Sequence, residues 1–66
     1  MRNTIRVARA ERRMTQQELA DATDVSRQTI NAIESGKFIP STVLALKISR
    51  TFGKPVEENF LLEDED

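Results

Sequence analysis

Apolar side chains recur along this chain at intervals of three and four, and nowhere alternate strictly before the last few positions. That period predicts a succession of short amphipathic helices. The first runs roughly from Thr4 to Arg13, with Asn3 as its cap, and puts Ile5, Ala8, Arg9 and Arg12 on one face. A second, over about 16–22, opens on TQQE (15–18), the spacing of a capping box, and turns Leu19 and Ala20 inward. Thr23, Asp24 and Val25 make a tight turn. Ser26 then caps a third helix over about 27–35, which Gly36 ends as a left-handed residue. In the KFIP loop, Phe38 and Ile39 are expected to staple the chain to the body. Pro40 and Ser41 announce a fourth helix to about Phe52, with Leu44, Ala45, Ile48 and Phe52 as its stripe, before Gly53. Pro55 starts a last turn, Val56 to Phe60. The pattern as a whole predicts an all-α, compact five-helix bundle over 1–62, followed by an acidic tail, 63–66.

Sixty-six residues make one small domain. A core of this size is marginal on its own, since only about 60% of the unfolded surface can be buried. With no Cys and no His, disulfides are excluded and no usual zinc ligand set exists, so oligomerisation is the stabiliser to expect. No metal and no cofactor are expected. No apolar run is long enough to cross a bilayer, and the first ten residues lack the apolar stretch of a signal peptide. A soluble, cytoplasmic chain without a membrane partner is therefore expected.

The formal charge of −1 hides a strong asymmetry. All ten Lys and Arg lie in residues 1–55 with only five acids, a balance of +5. Residues 56–66 carry six acids and no base. A basic body with an acidic pole fits a polyanionic partner better than the total suggests.

The third helix, within SRQTINAIESG (26–36), carries the most informative chemistry. Ile30 and Ile33 mark its buried side. Arg27, Gln28, Asn31, Ala32 and Ser35 fill the opposite side, without the long acid–base pairs usual on a solvated helix. Gln or Asn can bond adenine, Arg can bond guanine, and Ala can touch the thymine methyl in a major groove. Taken alone, the same face could equally be solvated surface.

The segment QQELADATDVSRQTINAIESGKFIPS resembles the helix-turn-helix family of Cro and phage-repressor (XRE) type. Gln16, Glu18, Leu19, Ala20, Val25, Ser26, Ile30, Ile33, Glu34, Gly36 and Pro40 stand in the family's places, and the likeness runs from Asn3 to about Leu62. Ala20 is small where two helices cross, and Leu19, Val25, Ile30 and Ile33 fill the wedge between them. The short turn holds the helices at roughly 90–120°, so that the second can enter a groove. Two positions depart from the pattern. Asp24 stands where the family usually has a left-handed Gly, and Thr23 where Leu is common, which predicts a strained and less well packed turn.

The resemblance implies a function: a sequence-specific double-stranded-DNA-binding transcription regulator, most simply a repressor, in the prokaryotic cytoplasm and nucleoid-associated. By it, Arg27, Gln28, Asn31 and Ala32 read bases. Thr15, Gln16, Lys37, Phe38 through its backbone, Ser41 and Arg13 contact phosphate, and Gln16 also braces Gln28. Arg9 and Glu34 form a structural ion pair between the first and third helices.

The resemblance also implies a homodimer on a near-palindrome. Its contact is expected from Val56, Phe60, Leu61, Leu62 and Leu46, with ENFLLED short enough to form a β-strand pairing across the two-fold. The opposing expectation is that these residues only close the monomer's core. The EDED tail is expected to be solvated and frayed, its charge keeping that pole away from DNA. No small-molecule ligand is evident. Nor is an enzyme: no His, Cys or Gly-rich phosphate loop is present. The competing reading is an antitoxin-like or regulatory interaction module in which DNA binding is secondary.

Overall fold

The computed structural model describes all 66 residues. Five helices follow a two-residue strand and precede another: β1 (Arg2–Asn3), α1 (Ile5–Glu11), α2 (Gln16–Thr23), α3 (Arg27–Glu34), α4 (Thr42–Phe52), α5 (Val56–Asn59) and β2 (Phe60–Leu61).

Local chemistry sets each helix end. At α2, the Thr15 hydroxyl accepts from the Glu18 amide at 3.0 Å, and the Glu18 carboxylate accepts from the Thr15 amide at 2.9 Å. Both halves of the capping box are closed. The Ser26 and Ser41 hydroxyls accept from Thr29 and Leu44, capping α3 and α4. Gly53 is left-handed (φ +67) and stops α4. Helix α1 ends earlier than its polar pattern implied, because Arg13 adopts φ +53 while the Met14 amide turns back to the Arg9 carbonyl.

The turn between α2 and α3 departs from expectation in one respect. Asp24 does take the left-handed conformation (φ +65, ψ +39). Thr23, however, is fully buried, and its hydroxyl donates to the Leu19 carbonyl at 2.8 Å. A threonine fits there because its polar atom is satisfied within its own helix.

The core unites Ile5 and Ala8 of α1, Leu19 and Ala20 of α2, Ile30 and Ile33 of α3, Leu44, Ile48 and Phe52 of α4, and Phe60 of β2. The KFIP staple is not formed. Phe38 and Ile39 are exposed, and Pro40 is the residue of that loop that packs inside.

The C-terminal strand also differs from the sequence reading. β2 pairs antiparallel with the chain's own β1, Arg2 opposite Leu61 and Asn3 opposite Phe60, so one of its edges is taken within the chain. Phe60, 8% exposed, closes the monomer's core. Asn59 is buried as well: its backbone carbonyl accepts from Thr4, and its side-chain amide donates to Ser49. The acidic tail is folded back, with the Met1 ammonium 3.0 Å from Asp66 and 3.1 Å from Glu63. These contacts hold the Met1 amine above its usual pKa, Asp66 contributing more than Glu63.

Candidate nucleic-acid interface

Arg27, Gln28 and Asn31 project from α3 into solvent, while Ile30 and Ile33 on its other side are completely buried. One-sided burial follows from the helical period, and it fixes which face can meet a ligand. None of the chain's five ion pairs uses Arg27. Two neighbours are less available than their sequence positions suggested. Ala32 is only half-exposed. The Ser35 hydroxyl turns back to donate to the Ala32 carbonyl at 3.1 Å.

Beneath this face lies a charged pair. Arg9 of α1 grips the Glu34 carboxylate at both oxygens, Nε to Oε2 at 2.6 Å and Nη2 to Oε1 at 3.0 Å. Its remaining nitrogen, Nη1, donates to the Met14 carbonyl at 2.9 Å. The Glu34 side chain is wholly enclosed, and Arg6 approaches it at 3.5 Å from the solvent side. Burial alone would raise the Glu34 pKa. Hydrogen bonds from Arg9 and Gln16, with the charges of Arg9 and Arg6, outweigh it and hold the carboxyl below its ordinary value. Arg9 is correspondingly raised, chiefly by its hydrogen bonds to Glu34. The part played by Arg6 was not anticipated, although it stands three residues before Arg9, a spacing that shares a helix face.

Gln16 does not brace Gln28. Its side-chain nitrogen donates instead to Asn31 Oδ1 at 3.2 Å and to Glu34 Oε1 at 3.3 Å. The helical phase of α3 explains the change, since Asn31 and Glu34 are three apart and share the side that faces α2. Around the α3 face, Thr15 and Gln16 occupy the start of α2, where first-turn amides lack partners within the helix. Lys37, Phe38, Ser41 and Arg13 are all exposed. The Phe38 amide cannot serve a phosphate as expected, because it already donates to the Ala32 carbonyl at 3.2 Å. What Phe38 offers to the outside is its ring.

The sequence has relatives among known proteins. The helix-turn-helix family model matches residues 5–59. The chain belongs to the XRE-type helix-turn-helix family. A protein of Methanocaldococcus jannaschii named an uncharacterized HTH-type transcriptional regulator is 47% identical over 66 residues, covering all of both chains. One of the same description from Methanothermobacter thermautotrophicus is 46% identical over all of this chain and 96% of its own. YgzD of Bacillus subtilis, also named an uncharacterized HTH-type transcriptional regulator, is 41% identical over the whole of both chains.

A second surface of this helix-turn-helix chain is apolar. Leu62, Ile39 and Leu46 are 81%, 64% and 53% exposed, and Val43 is similarly open. Ile39, Pro40, Ala45, Leu46, Val56 and Phe60 line a shallow groove of about 260 Å³. Leu61 is half-buried within the strand pair. Of the five residues expected at a dimer contact, Leu46 and Leu62 thus present open surface. Val56 and Leu61 present part of theirs, and Phe60 very little. No helix is long and apolar enough to cross a membrane.

The buried pair gives a definite pH dependence. The folded-state pKa of Glu34 is depressed, so its contribution is fully present above about pH 4.5, the unfolded value, and is lost as pH falls through the lower folded value. Urea unfolding followed by circular dichroism across acidic pH should show this loss in the native chain and a flatter profile in Glu34→Gln. At neutral pH, Glu34→Ala should cost about 2–4 kcal/mol, because it leaves Arg9 partly buried and unpaired.

Proposed function

We propose that this chain is a sequence-specific double-stranded-DNA-binding transcription regulator, acting as a repressor on a near-palindromic operator. The observation that carries this reading is the outward face of α3: Arg27, Gln28 and Asn31 stand exposed on a helix anchored from behind by Ile30, Ile33 and Glu34. Side chains that can match purine edges, on a helix that cannot roll, are what major-groove readout requires. The names of the relatives point the same way.

In this reading Arg27, Gln28 and Asn31 read bases, and Ala32 contributes a methyl at the edge of the contact. At the start of α2 the Thr15 and Glu18 amides are taken up by the capping box, and the amides of Gln16 and Gln17 face a phosphate favourably because of the helix dipole. Lys37, Arg13 and the Ser41 hydroxyl add further backbone contacts, which position the protein without specifying sequence. The reading assigns no catalytic role.

A homodimer is part of this reading, and size supports it. The molecule's longest dimension is 31 Å and it carries one α3. Two half-sites one turn apart are separated by about 34 Å, so reading both takes two copies. The groove lined by Ile39, Leu46 and Val56, with Leu62, is the apolar surface that a second copy would cover.

Two measurements check these statements. Fluorescence anisotropy with duplexes selected from a random pool should show affinity falling steeply with salt as counterions are released. Arg27→Ala and Gln28→Ala should each relax preference at one or two base pairs by about 1–3 kcal/mol. Salt-insensitive or absent binding would favour the interaction-module reading. In sedimentation at micromolar concentration, the native chain should run as a dimer and Leu46→Glu as a 7.5 kDa monomer. A native chain that is only monomeric would contradict the interface.

A further inference from the structure

The amide groups of Gln16 and Asn31 are not free to choose their orientation. Arg9 holds both oxygens of the enclosed Glu34 carboxylate. An ionised carboxylate can only accept hydrogen bonds. The end of the Gln16 amide that lies 3.3 Å from Glu34 Oε1 must therefore be its NH2 group. The same nitrogen donates its second hydrogen to Asn31, and a donor at 3.2 Å requires an oxygen there. Asn31 accordingly turns Oδ1 toward α2 and leaves its own NH2 end on the exposed side. Each step is forced by the one below it, starting from the ion pair.

We propose that Gln16 and Glu34 are positioning residues for sequence readout, which fix the amide of Asn31 so that it meets its base with the amino group foremost. The inference rests on the DNA-binding reading above and assigns the polarity of one contact within it. An amide that can turn over presents either a donor or an acceptor and discriminates poorly. One held in place favours a base edge with an acceptor, such as guanine O6 and N7 or thymine O4, and disfavours the cytosine amino group. Both N–H groups of Gln16 are engaged in this relay. Its side chain is thereby withdrawn from donating to phosphate, leaving that task to the backbone amides of the α2 first turn.

The test is site selection from a random duplex pool with the native chain, Asn31→Ala, Gln16→Ala and Glu34→Gln. The position whose preference disappears in Asn31→Ala identifies the base that Asn31 meets. There the native chain should select a base with a major-groove acceptor, by about five- to tenfold over cytosine. Gln16→Ala should lower preference at that position to roughly twofold and leave those set by Arg27 and Gln28 unchanged. Glu34→Gln, which also loosens the anchor of α3, should lower it there and weaken the other positions as well. Gln16→Ala retains the Arg9–Glu34 pair and so serves if Glu34→Gln folds poorly. Selection of cytosine, or full preference at that position in Gln16→Ala, would overturn the proposal, as would a Gln16→Ala loss spread equally over all duplexes. The last result would mark a phosphate contact instead. A native chain that binds no duplex would fail earlier, at the proposed function itself.

Discussion

The bidentate contact between Arg9 and Glu34 is the constraint on which the rest of this small fold depends. It joins α1 to α3, and through Arg9 Nη1 it also holds the Met14 carbonyl in the connection that leads to α2. Three elements meet at one guanidinium. Net stability is not the main consequence, because desolvating two charges offsets most of their attraction. The consequence is position: with Ile30 and Ile33 in the core and Glu34 tied down, α3 can neither rotate nor slide, and its polar face has one direction.

The remaining closures compensate for a core of ten apolar residues. Asn3 joins the short sheet to α3, its side-chain amide donating to the Ile33 carbonyl at 2.9 Å while its oxygen accepts from the Ile5 amide. Arg12 lies over the Phe52 ring, 5.9 Å from its centroid, and donates to the carbonyls of Thr51 and Phe52 at the end of α4. A cation there suits the negative end of the helix dipole. The Met1–tail contacts and the β1–β2 pair then bring both ends of the described chain to one side of the fold. Six of the eleven acidic residues lie in the C-terminal segment of that region, so the net basic character is left to the rest of the surface.

Much of this was legible in the residues. TQQE, Ser26, Ser41 and Gly53 gave helix ends because their chemistry is local, decided within three or four positions. Nine of the ten core positions followed from period; Phe60, expected at the dimer contact, did not. What escaped was non-local or too short to carry a period. A two-residue strand has no alternation to detect, so β1 was invisible and β2 lacked its partner. The clasp between Met1 and Asp66 spans 65 positions. Phe38 and Ile39 looked like core by hydropathy, and nothing local revealed that Pro40 takes the inward place. At the candidate site, the identity of the exposed α3 residues could be read, but the partner of Gln16 could not. It depends on how α2 and α3 cross, which no spacing within either helix encodes.

In the proposed function, the ion pair presents one face of α3, together with the start of α2 and the loop after α3, to a DNA duplex. Titration of the ¹⁵N-labelled chain with a selected duplex, followed by amide chemical shifts, tests it most directly. The largest changes should fall on residues 15–17, 27–32 and 35–41. The outer surfaces of α1 and α5 should change little. Changes concentrated on α5 and the acidic tail, with α3 unaffected, would contradict it.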